Sequence, residues 1–182
     1  MVGGEESMTG SLSIISAAFL IPLAVIISYY DVCYRRIPNP FVLATLAAGI
    51  LINAFFGGID GALTSLGGCL IGFTLMFVLH VFGAMGAGDV KLFAAIGALT
   101  GAHLILPTFL IVTLTGGVLG VAAMLRAGQL KFTMMRVFQI LVGLLPGYKV
   151  PRFPVPVDRR YTIPYGVAIT LGSLISLAIF RT

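Results

Sequence analysis

Long apolar stretches alternate with short polar or glycine-rich breaks along most of the chain. An α-helix needs about 20 mainly apolar residues to cross a bilayer, with about 17 as the lower end. The stretch 90–125 is too long for one span and is expected to fold back between Thr100 and Pro107. The pattern therefore predicts about six transmembrane helices, over residues 12–30, 41–56, 62–82, 90–103, 105–125 and 163–180.

A long segment with many basic residues, 126–161, separates the last two predicted spans. Within its part 131–147, polar or small side chains recur at helical spacing, at Thr133, Arg136, Gln139 and Gly143. An amphipathic helix lying in the membrane interface has this pattern. We therefore predict an interfacial amphipathic helix at 131–147, with a re-entrant segment as the alternative.

The basic residues are distributed unevenly between the two sides of the predicted bundle. Ten of the eleven Lys and Arg residues fall in the loops that follow the first, third and fifth spans or, for Lys91, just beyond such a loop. Cytoplasmic loops of membrane proteins carry such an excess of positive charge. Both termini are therefore predicted to lie outside the cytoplasm, and the loop 126–161 inside it. The sequence thus predicts a single multi-pass domain, 1–182, in the plasma (inner) membrane.

The composition supports a membrane protein and excludes several other classes. Hydrophobic residues make up 59% and charged residues 9% of the chain, whereas soluble domains average about 25% charged residues. The net charge is +5, but aromatic residues are not interleaved with the basic ones at a suitable spacing, so nucleic-acid binding is not expected. The two cysteines, Cys33 and Cys69, form no CxxC pair and no His/Cys cluster. Neither a metal nor another cofactor is therefore expected.

Two acidic residues are predicted to share one face of the membrane. Asp31 ends the first span, and Asp89 follows the third span after a glycine-rich break that begins at Gly83. Because both of these spans run toward the cytoplasm, the two carboxylates are expected on the cytoplasmic side. Asp89 is also explained as a helix cap. Asp31 is not, because the helix macrodipole disfavours an anion at a C-terminal end.

A pair of close carboxylates has a chemical use. Like charges a few ångströms apart do not both ionise readily, so one member keeps a proton near neutral pH. The ionised member can deprotonate a water while the protonated one binds a carbonyl oxygen. Peptide hydrolysis without a metal or a covalent intermediate is the reaction that this pair predicts.

Three motifs around these acids resemble the type IV prepilin peptidases, which are GxGD-type intramembrane aspartyl peptidases. The motifs are Gly86-Ala87-Gly88-Asp89 followed by Lys91-Leu92, Ile37-Pro38-Asn39 shortly after Asp31, and Pro164-Tyr165-Gly166 before the last span. The resemblance implies that Asp31 and Asp89 are the catalytic residues. It implies that the other motif residues shape the site or admit the substrate, namely Gly86, Gly88, Lys91, Ile37, Pro38, Asn39, Pro164, Tyr165 and Gly166.

The resemblance also implies a fold and an activity. The fold would be an all-α polytopic bundle of the GxGD aspartyl peptidase type, and the activity would be removal of the short leader of pilin-like precursors at the cytoplasmic membrane face. The paired CxxC motifs of the longer members, which also methylate the new N-terminus, are not found. The chain therefore looks like the short form of tight-adherence (Flp-type) pilus systems, and the related archaeal preflagellin peptidases stay open as an alternative.

Other interpretations compete with parts of this account. A small non-enzymatic transporter would use Asp31 and Asp89 as a proton or cation relay, although such a relay is expected to place acids near mid-membrane. Lys91 is first a topology anchor that snorkels, with pairing to a substrate carboxylate as the alternative. His80 is assigned to packing. Glycine pairs at GxxxG spacing, such as Gly68/Gly72, favour packing within one bundle and leave a homodimer as the alternative.

Overall fold

The computed structural model describes residues 2–82, 85–126 and 165–180. In these residues the chain forms five helices and no strand, which confirms the predicted all-helical class. The helices are α1 (Val2–Tyr34), α2 (Asn39–Val81), α3 (Ala87–Thr100), α4 (Ile105–Arg126) and α5 (Tyr165–Ile179). The predicted amphipathic helix at 131–147, nearly all of the loop 126–161 and Pro164 lie outside the described residues.

The helix that begins beside Asp89 is deeply buried. In α3, Val90 and every residue from Leu92 to Leu99 are buried. This segment has no polar side, and a helix that is apolar all round is buried. α3 packs mainly against α2 and also contacts α1 and α5. The first turn of α3, which carries Asp89, is therefore fixed by packing on several sides.

The chain of α2 reverses direction at Gly58, which has φ 59° and ψ −138°. Asn53 Nδ2 and Ser65 Oγ both donate to the carbonyl oxygen of Ala98, at 3.0 Å and 2.7 Å. Twelve residues of straight helix would separate these donors by roughly 18 Å. Residues 39–57 and 59–81 are therefore two arms that both pack on α3, and the break falls between the predicted spans 41–56 and 62–82.

Close packing of α3 on both arms depends on glycine residues at the contacts, because glycine has no side chain. A Cβ on Gly68 would collide with the carbonyl oxygen of Gly97, and a Cβ on Gly97 would collide with the carbonyl of Gly68. A Cβ on Gly49 would lie 2.6 Å from the backbone nitrogen of Leu99. Small residues let helix backbones approach in this way. These glycines are therefore used within the bundle.

The chain divides into two compact units, Met1–Gly116 with Pro164–Thr182, and Gly117–Ile163. In the first unit, α5 packs closely on the first turns of α4, where a Cβ on Gly172 would lie 2.7 Å from the Cα of Val112. Of the second unit, the structure describes residues 117–126, which are helical. All residues of the site described below belong to the first unit.

Three of the described helical stretches are long and apolar enough to cross a membrane, Ile14–Tyr34, Asn39–Val81 and Ile105–Arg126. α3 has 14 residues and is about 21 Å long, shorter than the hydrocarbon core of about 30 Å. α3 also ends at Thr100, before the predicted boundary at 103. The chain is thus a helical protein of membrane type, and the six spans stay a prediction.

Candidate active site

Asp31 lies in the last turn of α1 and is 8% exposed. Its Oδ2 accepts a 2.6 Å hydrogen bond from the backbone N–H of Gly166, and the N–H of Val167 also donates to this carboxylate. Both donors belong to the first turn of α5, where backbone N–H groups have no partner inside the helix. Helix N-termini bind anions through these groups and through the macrodipole. The start of α5 therefore holds the Asp31 carboxylate.

Gly166 permits this contact because it has no side chain. A Cβ at this position would lie 2.8 Å from Oδ2 and 3.1 Å from Cγ of Asp31. A Cβ atom does not approach another heavy atom to within about 3.0 Å, so the Asp31 carboxylate or α5 would have to move. Tyr165 is the first residue of α5, and its ring packs beside Gly116 of α4. The predicted motif residues 165 and 166 thus meet α1 and α4.

Asp89 is the third residue of α3, whose N-cap is Gly86. The N–H of Gly86 donates to Asp89 Oδ2 at 3.0 Å, and the Asp89 N–H donates back to the Gly86 carbonyl at 3.1 Å. This reciprocal pair is the geometry of a capping box, with the carboxylate at position N3. Asp89 therefore stabilises the start of α3, and its carboxylate is held in one orientation.

The two carboxylates are close enough to interact. Burial raises the pKa of Asp89 to about 6, the hydrogen bond from Gly86 opposes the rise, and the negative charge of Asp31 adds to it. Asp89 directly precedes Val90, the first buried residue of α3. The structure therefore brings together two acids that are far apart in the sequence, and one of them holds a proton up to mildly acidic pH.

The segment after α1 closes one side of this site. Ile37 packs against the hydrophobic core, and a Cβ on Gly88 would lie 3.5 Å from the Cβ of Ile37. Pro38, with φ −68° and ψ 126°, is the N-cap of α2, and Asn39 is the first residue of that helix. Two of the predicted motifs, at 37–39 and 86–89, therefore pack against each other.

His80 forms a hydrogen bond to the glycine-rich segment that precedes Asp89. Its Nδ1 lies 2.8 Å from the carbonyl oxygen of Met85, and its ring packs near Phe77. Met85 in turn packs against the hydrophobic core. The sequence suggested packing for His80, but it carried no signal for this hydrogen bond, which joins the end of α2 to a residue inside the break.

Lys91 is exposed and lies away from the carboxylate contacts described above. It lines an apolar groove of about 620 Å³ together with Asn39 and residues of both α2 arms. Within the described ranges, no group of three or more His, Cys, Asp and Glu side chains is placed to hold a metal ion. The groups that the described site offers for acid–base chemistry are the two carboxylates, one held by a helix N-terminus and one held in a capping box.

Comparison with known proteins identifies relatives of this chain. The model of the type IV leader peptidase family matches residues 18–121, which include both aspartates. The chain is 34% identical over 169 residues to a prepilin leader peptidase/N-methyltransferase of Bacillus subtilis (strain 168), a match that covers 91% of this chain and 56% of that protein.

A second relative is a prepilin leader peptidase/N-methyltransferase of Stutzerimonas stutzeri. It is 34% identical over 108 residues, covering 54% of this chain and 36% of that protein. The chain therefore spans about half the length of one relative, and the match covers about a third of the other. No solved structure matches the chain.

Proposed function

Since this chain belongs to the type IV leader peptidase family, we propose that it is a membrane aspartyl endopeptidase. It removes the short leader of pilin-like precursors at the cytoplasmic face of the plasma (inner) membrane. The observation that carries this proposal is the meeting of Asp31 and Asp89 at one partly buried site, where the charge of Asp31 acts on Asp89. Such a pair hydrolyses peptide bonds by general acid–base catalysis.

In the proposed reaction, Asp31 is the ionised member and Asp89 the protonated one. Asp31 takes a proton from a water molecule, whose oxygen attacks the scissile carbonyl carbon. Asp89 donates its proton to the carbonyl oxygen as the tetrahedral intermediate forms. When this intermediate collapses, Asp31 gives its proton to the leaving nitrogen as the C–N bond breaks. Asp89 takes a proton from one hydroxyl group, which restores the starting ionisation of both carboxyl groups. The bonds from the start of α5 to Asp31 support this assignment, because N–H donors stabilise an ionised carboxylate.

Aromatic residues near Asp31 support a site at the membrane edge. Tyr30 packs against Tyr34 and Phe41 with ring centroids 5.6 Å and 6.0 Å apart, and Tyr29 contacts both tyrosines. Tyrosine is enriched where a membrane protein meets the headgroup region. At that depth, water reaches the carboxylates while an apolar substrate stays in the bilayer. Cleavage of the leader requires water at the carboxylates and access for a substrate that stays in the bilayer.

We extend the proposal to the topology predicted from the sequence. Six spans cross the bilayer, both termini lie outside the cytoplasm, and the loop 126–161 lies inside with an interfacial helix at 131–147. The distribution of basic residues supports this arrangement, and the reversal at Gly58 gives α2 two arms. We do not extend it to a homodimer, because Gly68 and Gly97 are already used inside the bundle.

A proton or cation relay is a weaker alternative. Between residues 14 and 126, the described chain holds three acids, Asp31, Asp60 and Asp89. Asp60 is exposed next to the break in α2. A relay through the bundle is expected to place acids along a path across the membrane, and the other two acids meet at one site instead. Their meeting favours the dyad.

Co-expression with candidate precursors tests the proposed function. The chain is produced together with single pilin-like precursors, and the mass of each precursor is measured in membranes. We expect loss of a short leader that depends on this chain. The same spectrum separates an unmodified new N-terminus from one that carries a methyl group. If no pilin-like precursor is shortened, the proposed activity is wrong.

A further inference from the structure

The peptide group between Met85 and Gly86 is held by a side chain at each end. Its carbonyl oxygen lies 2.8 Å from Nδ1 of His80, and its N–H donates to Oδ2 of Asp89 at 3.0 Å. A carbonyl oxygen only accepts, so Nδ1 of His80 carries the hydrogen of the first bond. The imidazole of His80 is therefore connected to the Asp89 carboxylate through one peptide group.

This connection transmits both direction and polarity. A trans peptide group is planar, and its C=O and N–H point in opposite directions. Holding the carbonyl oxygen of Met85 therefore sets the direction in which the N–H of Gly86 points. In a chain of hydrogen bonds each bond polarises the next, so donation from His80 also makes the N–H of Gly86 a stronger donor to Asp89.

The packing of α2 on α3 determines where His80 lies. A Cβ on Gly68 would collide with the carbonyl oxygen of Gly97, and a Cβ on Gly72 would lie 3.2 Å from the carbonyl oxygen of Phe93. The second arm of α2 is therefore antiparallel to α3. Continuing this register toward the end of α2 brings His80 to the segment that leads into α3. The donor of the first bond is thus supplied from a packed helix.

We propose that His80 is a positioning residue, which holds the peptide group 85–86 so that the N–H of Gly86 keeps the Asp89 carboxylate in place for the reaction. This inference rests on the proposed function, in which Asp89 gives its proton to the scissile carbonyl. Packing of the imidazole near Phe77, with ring centroids 6.3 Å apart, is the competing explanation of the same residue. The two explanations predict opposite orders of activity for two substitutions.

His80→Asn and His80→Phe separate the hydrogen bond from ring packing. Asparagine has an N–H donor at the position of Nδ1 but no ring, whereas phenylalanine has the ring and no donor. We expect His80→Phe to lower kcat for leader cleavage about two- to tenfold, as for the loss of one hydrogen bond, with KM little changed. His80→Asn should keep most of the activity. Activity of His80→Phe equal to or above that of His80→Asn overturns the proposal.

His103→Phe is the matched control for the loss of a histidine. His103 is exposed in the turn between α3 and α4. We expect this variant to keep the kcat and KM of the unsubstituted chain. A loss equal to that of His80→Phe would show that the effect does not depend on the bond to Met85, and it would overturn the proposal.

The pH dependence of cleavage gives a readout that ring packing alone would not change. The hydrogen bond from Gly86 lowers the pKa of Asp89, against the larger effect of burial. A weaker bond in His80→Phe should therefore move the alkaline limb of kcat/KM to higher pH. In His80→Asn, which keeps a donor and is uncharged, the limb should stay where it is. Asp31, which acts on Asp89, and Arg35, which acts on Asp31, are the same in all variants. An equal shift in both variants would assign the effect to the imidazole itself and overturn the proposal.

NMR titration of the Asp89 carboxyl group separates this inference from the proposed function, because it needs no substrate. We expect a higher pKa of Asp89 in His80→Phe than in the unsubstituted chain, and the same pKa in His80→Asn. Cleavage of a precursor by the unsubstituted chain, with one pKa in all three proteins, overturns the positioning role and leaves the peptidase standing. The expected difference in pKa without cleavage of any precursor supports the positioning of Asp89 and contradicts the peptidase. Failure of both readouts overturns both.

Discussion

The backbone N–H of Gly166 donates a 2.6 Å hydrogen bond to Oδ2 of Asp31, and this bond joins the start of α5 to the last turn of α1. Asp31 lies at the C-terminal end of α1, where the helix macrodipole disfavours an anion. It also lies at the N-terminal end of α5, where the macrodipole favours one. The unfavourable position that the sequence showed is therefore offset by a second helix. The hydrogen bonds from the start of α5 hold the Asp31 carboxylate at the site.

Gly166→Ala should reduce leader cleavage strongly. The added Cβ would lie 2.8 Å from Asp31 Oδ2, so the carboxylate has to leave its position on α5. A displacement of about 1 Å at a reacting group can cost about 100-fold in rate, and we expect a loss of about 10- to 100-fold in kcat. Gly117→Ala is the matched control, because a Cβ on that helical glycine meets no atom of the described residues within 4 Å. Equal activity of the two variants would contradict the positioning role.

The two glycines of the GxGD motif should differ in their tolerance of alanine. A Cβ on Gly86 would lie 3.2 Å from Asp89 Oδ2, whereas a Cβ on Gly88 would make ordinary contact with Ile37 at 3.5 Å. Gly86→Ala should therefore disturb the Asp89 carboxylate and lower cleavage more than Gly88→Ala. Initial rates of both purified variants check this order. A greater loss in Gly88→Ala would show that the motif acts through something other than these contacts.

Some of this arrangement can be predicted from the sequence, for physical reasons. The length and polarity of each segment indicate helices, and the alternation of spans brings Asp31 and Asp89 to one predicted face. The unbroken apolar run from Leu92 also indicates burial. These signals are local, or they depend only on the direction in which each span crosses the bilayer.

Contacts between distant helices have no such signal. The bond from Gly166 to Asp31 joins positions 135 residues apart. Nothing near either residue specifies the partner, although Pro164-Tyr165-Gly166 marked the segment by resemblance. The apolar groove lined by Leu43, Phe73 and Ala94 is likewise built from three segments that each look like ordinary membrane helix. Three-dimensional packing alone assembles these features.

Cleavage should fall as the pH rises through about 6. Burial, and to a smaller extent the charge of Asp31, raises the pKa of Asp89 to about 6. Below that pH Asp89 holds the proton that the mechanism gives to the carbonyl oxygen, and above it the proton is lost. The alkaline limb of kcat/KM, which reports the free enzyme, should therefore lie near pH 6. A profile that is flat from about pH 5 to 8 would contradict this role.

The same shift gives a second readout for the coupling of the two acids. In Asp31→Asn the charge that adds to the Asp89 shift is gone, so the pKa of Asp89 should fall below its value in the unsubstituted protein. Carboxyl chemical shifts followed by NMR over a pH titration measure this directly. An unchanged or higher pKa of Asp89 would show that the two carboxylates do not interact.

Cysteine labelling should show that the N-terminal region and the loop 126–161 lie on opposite sides of the membrane. In a variant with Cys33 and Cys69 replaced by serine, Met8→Cys should react with a membrane-impermeant thiol reagent in intact cells. Val155→Cys should react only after the cells are opened, because the loop 126–161 is proposed to be cytoplasmic. The reverse pattern would put both aspartates on the outer face and contradict cleavage on the cytoplasmic side.

Single-residue variants of the purified protein test whether Asp31 and Asp89 act together as the catalytic pair. Rates of leader cleavage are measured by mass spectrometry for Asp31→Asn and Asp89→Asn. Asp60→Asn is the control, since Asp60 is an exposed acid beside the break in α2. We expect each dyad variant to insert normally and to lose about 10²- to 10⁴-fold in kcat, while the control keeps its rate. Full activity in either Asp31→Asn or Asp89→Asn would contradict the account.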